Sequence, residues 1–174
     1  GHGVWEAASA NLGSDQHSLL IAGSGHFSDQ WAIQTTALGL PVIRTPHTEG
    51  QPIDIAAIEA ALRADTQHHI AAVMVVHTDT ASGITSDLQA IRKAINSTGH
   101  PALYVVDVVA SLGAAPFDMD ALGADVCLGS SQKGLMMPPG LGFVAVNAKA
   151  FAWSKAHAKP RFYWSWLERK TDNQ

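Results

Sequence analysis

The stretch Ala124–Asn147, ADVCLGSSQKGLMMPPGLGFVAVN, decides how the chain is read. It holds a strand-sized apolar run, a small polar turn with one lysine, a Pro-Gly break and a second apolar run. Lys133 sits in that turn, between Ser130, Ser131 and Gln132 on one side and Gly134 on the other. A lysine amine close to apolar surroundings tends to lose its proton, because desolvation penalises the charged form. A neutral amine is a nucleophile able to form a Schiff base with a carbonyl. Just upstream, Leu103–Gly113 (LYVVDVVASLG) is another apolar run, with Asp107 inside it. A carboxylate embedded in a strand needs a partner. A pyridinium nitrogen is one such partner. A Schiff-base lysine together with an aspartate for the ring nitrogen is the signature of pyridoxal phosphate binding.

Working outward, strands and helices alternate. Ser18–Ala22, Leu40–Arg44, Ile70–Val76, Ala102–Val106, Ala124–Leu128 and Leu141–Val146 read as strands. Helical spacing is found in Gly1–Leu12, with Val4, Ala7, Ala8 and Leu12 on one face. It returns in Asp29–Leu38, with Trp31, Thr35 and Leu38 on one face and Gly39 just past the end. Asp54 caps a helix running to Asp65 with Ile55, Ile58 and Leu62 inward, and Ser86 or Asp87 caps another with Leu88, Ile91 and Ile95 inward. Ala148–Lys155 is expected to be helical. Continuously apolar strands between helices predict a three-layer α/β/α domain with a mostly parallel sheet.

In such sheets, ligands bind beyond the carboxyl ends of the strands. The polar candidates fall there. His26 and Phe27 follow the first strand, His77, Asp79 and Thr80 follow Ile70–Val76, and Asp107 and Ser130–Lys133 follow the next two. Gly1-His2-Gly3 leads into a helix, and free amides plus the helix dipole at such an entry favour an anion such as phosphate. The bland alternatives are core packing for Phe27, a turn hydroxyl for Thr80 and a satisfied buried carboxylate for Asp107.

Composition narrows the field. With 174 residues, 47% hydrophobic and 15% charged, the chain is a globular domain long enough to bury a core. Its formal net charge of -4 supplies no basic footprint for nucleic acid or an anionic membrane. The apolar runs are strand-sized and too short to span a bilayer. The single cysteine, Cys127, excludes an internal disulfide and fits a reducing compartment: the cytoplasm, or an organelle such as the peroxisome in a eukaryote. Nine histidines invite a metal reading, but no HExxH and no Cys/His cluster is present, so no metal site is expected. Starting at Gly1-His2-Gly3 without an initiator methionine, the chain is expected to be a piece of a longer protein. The aromatic tail, with Trp153, Phe162, Tyr163, Trp164 and Trp166, is expected to pack against a missing domain or a second subunit.

The run VVDVVASLGAAPFDMDALGADVCLGSSQKGLMMPPGLGFVAVN resembles the cofactor-binding core of class V aminotransferases, in the alanine–glyoxylate and serine–glyoxylate group. GHGVWEAASANL resembles that group's phosphate-cup helix, GHFSDQWA its cofactor-stacking segment, and HTDTASG its loop before the central strand, all in the family's order. The resemblance implies the large domain of a fold type I pyridoxal 5'-phosphate enzyme over residues 1–174, lacking an N-terminal segment and a C-terminal small domain. Lys133 would hold the cofactor as an aldimine and act as general base, and Asp107 would pair with the pyridine nitrogen. Phe27 would stack on one ring face, where relatives often carry Trp, and Val109 would pack on the other. Thr80 would hydrogen-bond the ring hydroxyl. Gly1, His2 and Gln132 would hold the phosphate. The implied reaction moves an amino group from serine, alanine or aspartate to glyoxylate or pyruvate, in a homodimer with a shared active site. The arginine that binds the substrate carboxylate in relatives lies outside these residues. Alternatives are a class V lyase of the desulfurase or kynureninase type, a nucleotide-binding α/β module, and a catalytically dead interaction domain. A desulfurase needs a mobile cysteine, which Cys127 in an apolar strand is not, and Gly1-His2-Gly3 lacks the third glycine of a dinucleotide fingerprint.

Overall fold

A computed structural model describes residues 1–157 and 159–171. The chain runs α1 (His2–Leu12), β1 (Ser18–Ile21), α2 (His26–Ala37), β2 (Val42–Arg44), α3 (Ile55–Ala64), β3 (Ile70–Val76), α4 (Leu88–Thr98) and β4 (Leu103–Asp107). It continues through α5 (Met119–Leu122), β5 (Val126–Ser130), β6 (Gly142–Val146), α6 (Ala148–His157) and α7 (Trp166–Thr171). The six strands form one sheet in the order β2-β1-β3-β4-β5-β6. All neighbours are parallel except β6, which runs antiparallel to β5. The three-layer, mostly parallel reading therefore holds.

Helix ends follow local chemistry. Asp54, Asp87 and Asp118 each accept a backbone N–H three residues on, from Ala57, Ala90 and Ala121, which satisfies amides that have no partner inside the helix. Gly99 closes α4 in the left-handed conformation at φ 69°, which costs glycine little.

Strand alternation sorts side chains to the two faces. On β3, Ala72, Met74 and Val76 face the layer of α1, α2 and α6, while Val73 and Val75 face α3, α4 and α5. Leu103 and Val105 of β4 share the first face, so the two-residue period carries Asp107 toward α1 as well. Trp31 and Tyr104 are fully buried on opposite faces, each contributing roughly 2–3 kcal/mol from area removed from water. The chain leaves β1 toward β2 through α2 on one face and returns to β3 through α3 on the other. That reversal opens a crevice at the carboxyl ends of β1 and β3.

Several expectations are corrected. The second helix starts at His26 instead of Asp29, so Phe27 lies in its first turn and not in a loop. Leu38 is 36% exposed, because the helix ends one residue earlier and Leu38 is its cap. The tryptophans of the aromatic tail pack within the chain. Trp153 Nε1 donates to the Leu12 carbonyl at 2.9 Å, Trp164 Nε1 to Glu6 at 3.2 Å, and Trp166 packs on the core. Only Phe162 and Tyr163 of that group point largely outward. Short helices α5 and α7 carry no periodic signal in the sequence, because four and six residues are too few for one.

Candidate active site

One cavity at the carboxyl ends of the strands gathers Gly1, His2, Phe27, Thr80, Asp107, Val109, Gln132 and Lys133, the residues that the family resemblance implies for the site. Trp5, Val76, Thr78 and Ala110 complete its wall. The residues come from five separate segments, and the sheet is what assembles them. Val76, Asp107 and Leu128 are paired across β3, β4 and β5, so the three following loops leave the sheet side by side.

Asp107 is buried at the end of β4. Its Oδ1 accepts the Val109 amide at 2.6 Å and its Oδ2 accepts the Trp5 indole N–H at 2.6 Å. Burial pushes its pKa up to about 6, against these two hydrogen bonds and the positive charge of Lys133. Two donors leave carboxylate lone pairs still free. A cation beside it would lower the cost of holding this charge out of water.

Lys133 is half-buried, and its Nζ lies 3.5 Å from Thr80 Oγ1. The turn carrying it is folded around Ser131. The Met137 amide bonds the Ser131 carbonyl at 3.0 Å, Ser131 Oγ donates to the Pro138 carbonyl at 2.7 Å, and the Met136 amide bonds the Lys133 carbonyl at 2.9 Å. These bonds hold the lysine backbone on the β5–β6 connection opposite Asp107.

Phe27 is half-buried and meets Trp5 edge-on at 6.2 Å between ring centres. Helix α1 begins at His2, directly beside the cavity, with no acidic residue in its first turn. The amides of a helix's first turn lack intrahelical partners, so this end presents N–H groups and positive dipole to the cavity. A Cβ at Gly1 would touch Val109 at 3.9 Å, which brings the helix entry against the loop after Asp107.

The other strand-end candidates serve elsewhere. His77 points to the opposite face, where Nδ1 pairs with Ser111 Oγ at 2.7 Å, and burial lowers its pKa. It borders a wider groove with Ser86 and Asp118, which holds no lysine. His26 is exposed and does not line the cavity. Asp79 is buried and accepts amides of its own loop and of Phe27. Cys127 is buried, and burial pushes its thiol up to about 12, so it offers no nucleophile at neutral pH. Among the described residues no group of three or more His, Cys, Asp and Glu is placed to hold a metal ion. No helix among them is long and apolar enough to cross a membrane.

Sequence reading missed Trp5. Its helical position beside Val4 and Ala8 marks it as core, and nothing local announces a partner 102 residues away. The assembled set is an amine, a buried carboxylate, a flat ring and a helix N-terminus. That donor set suits a flat molecule with a cationic ring nitrogen, an electrophilic carbon and an anionic tail.

Known proteins resemble this chain in sequence and fold. A sequence profile described as aminotransferase class V matches residues 5–156. The chain is 42% identical to a serine–glyoxylate aminotransferase of Methylorubrum extorquens, over 99% of this chain and 44% of the relative. It is 40% identical to an L-aspartate–glyoxylate aminotransferase of Paracoccus denitrificans, over 94% of this chain and 41% of the relative. It superposes on an alanine–glyoxylate aminotransferase from Nostoc sp. with a TM-score of 0.86 at 25% identity, covering 98% of this chain and 45% of that one. The chain thus spans less than half the length of these relatives.

Proposed function

Because the chain belongs to the class V aminotransferase family, we propose that its cavity holds pyridoxal 5'-phosphate and serves transfer of an amino group from a small amino acid to a small keto acid. The observation that carries this reading is the meeting of buried Asp107 and half-buried Lys133 in one cavity, with the entry of α1 beside them. When bound, the cofactor supplies an electrophilic aldehyde carbon for an amine and a protonated ring that withdraws electrons from the substrate Cα. Lys133 Nζ would hold that aldehyde carbon, and the same amine, when free, would take a proton from the substrate Cα as general base and return it as acid.

Asp107 sets the ring nitrogen. Its remaining lone pairs would accept a hydrogen bond from the protonated ring nitrogen, and the ion pair would offset the burial that otherwise pushes the carboxyl toward its neutral form. Phe27 and Val109 would bracket the ring, and Thr80 would meet its hydroxyl. The helix entry at Gly1 and His2, with Gln132, would take the phosphate. Glyoxylate is the favoured acceptor, since two relatives with different donors, serine and L-aspartate, share it in their names. Serine, alanine and aspartate are the donors to try, and pyruvate the alternative acceptor. We read these residues as the large cofactor-binding domain of a homodimer that shares its active site, with the substrate carboxylate held by an arginine outside them.

The test is borohydride reduction of the intact protein loaded with pyridoxal phosphate, followed by peptide mass spectrometry. A pyridoxyl adduct on Lys133, with glycine formed from glyoxylate when donor is added, supports the reading. Absence of an adduct on Lys133 overturns it.

A further inference from the structure

Asp107 is held by two donors of different kinds. The Val109 amide is backbone, available whatever the sequence. The Trp5 indole is a side chain from another layer of the fold, 102 residues away. An indole N–H donates only, and it carries its hydrogen at every accessible pH. It therefore bonds a carboxylate better than a neutral carboxyl, and it fixes one oxygen in direction.

The indole is itself immobilised. Trp5 is 2% exposed and stacks on Trp31 at 5.5 Å with 11° between the planes. Trp31 Nε1 donates to Ser9 Oγ at 3.2 Å, and Ser9 Oγ shares a hydrogen bond with Thr35 Oγ1 at 2.9 Å. Phe27 and His2 meet the Trp5 ring edge-on. Stacked on one face and met edge-on by two further rings, the buried indole is held beside Asp107.

We infer that Trp5 is a positioning residue, whose indole N–H holds Asp107 Oδ2 and so aims the carboxylate's free lone pairs into the cavity. This rests on the proposed cofactor reading for its consequence, while the hydrogen bond itself does not. Phenylalanine at this position would keep an aromatic ring and lose the donor.

The experiment compares Trp5→Phe with the parent in the intact protein, each with Asp107 kept and with Asp107→Asn. Because the smaller ring can disturb packing, a further pair of proteins carries benzothienylalanine at position 5 in the same two backgrounds, which keeps the indole's shape without N–H. Two quantities are read: the dissociation constant for pyridoxal phosphate, and the pH dependence of urea stability of the cofactor-free protein. Both Trp5 variants should weaken cofactor binding about tenfold or more when Asp107 is present, as loss of a hydrogen bond to a charged group predicts. They should have less than about a twofold effect in the Asp107→Asn background, because the coupling is then already gone. The pH step in stability that vanishes in Asp107→Asn should move upward in both. An unmoved step, or an equal loss of affinity in both backgrounds, overturns the inference. A moved step in protein that takes no cofactor on Lys133 upholds the Trp5–Asp107 bond and sinks the cofactor reading instead.

Discussion

Asp79 Oδ2 accepts the backbone N–H of Phe27 at 3.0 Å, across 52 residues of chain. Its other oxygen accepts the amides of Ala81 at 2.8 Å and Ser82 at 3.2 Å. One buried carboxylate thus ties the loop carrying Thr80 to the first turn of the helix carrying Phe27. Those two residues line the same cavity from different loops. Asp79→Ala strands these amides, at a cost of about 1–3 kcal/mol for each one kept from water. A fall in the urea midpoint together with weaker cofactor binding is the expected result. An unchanged cofactor Kd would show that the tie does not set the cavity.

The same junction excludes a side chain at Gly25. Its φ of 139° lies where L-residues are strained, and a Cβ there would sit 2.9 Å from Asp79 Oδ2. Gly25→Ala should destabilise the protein by more than about 1 kcal/mol and disturb the same two residues, which thermal melts and cofactor titration would read.

Asp107 gives the cofactor-free protein a pH dependence with a definite sign. Its folded pKa, about 6, stands above the ordinary aspartate value of 3.8. The folded state therefore holds the proton more tightly than the unfolded one. Stability from this group is fully present below about pH 4 and is lost as pH rises through about 6. The drop is on the order of 3 kcal/mol. Urea melts at pH 4 to 8 should show this component in the parent and lose it in Asp107→Asn. A parallel slope in the two proteins would refute the assignment.

Gly134 follows the lysine and lies against the loop that follows Asp107. A Cβ on it would run into the Leu112 carbonyl oxygen and stand 3.0 Å from the Ala114 nitrogen. Both neighbours are backbone and cannot turn aside. Gly134→Ala should force the two loops apart, and a shift of an ångström at reacting groups can cost about a hundredfold in rate. The expected pattern is a large fall in kcat with a modest loss of stability. A fall in stability alone would mean that the loops part without moving Lys133 from its working place.

Cys127 should prove dispensable. It is buried in β5 with its thiol pushed up to about 12. Cys127→Ala should cost about 1 kcal/mol through the lost sulfur volume and leave the proposed transamination intact. Loss of turnover in a stably folded variant would revive a cysteine-dependent lyase.

Local chemistry carried much of this protein in the sequence itself. Continuous apolar runs mark strands buried on both faces, Asp54 marks a helix start, and Gly39 marks a helix end, because each signal acts within a few residues. Lys133 and Asp107 were legible for the same reason: a charged group at the end of an apolar run has few bland uses. Tertiary structure alone decided the pairing order β2-β1-β3-β4-β5-β6, the turn of β6 against β5, and the facing of Asp107 toward α1 while His77 faces away. It alone joined Trp5 to Asp107 and Asp79 to Phe27. Such bonds span 102 and 52 residues and depend on which layers meet across the sheet, so no spacing within one segment encodes them.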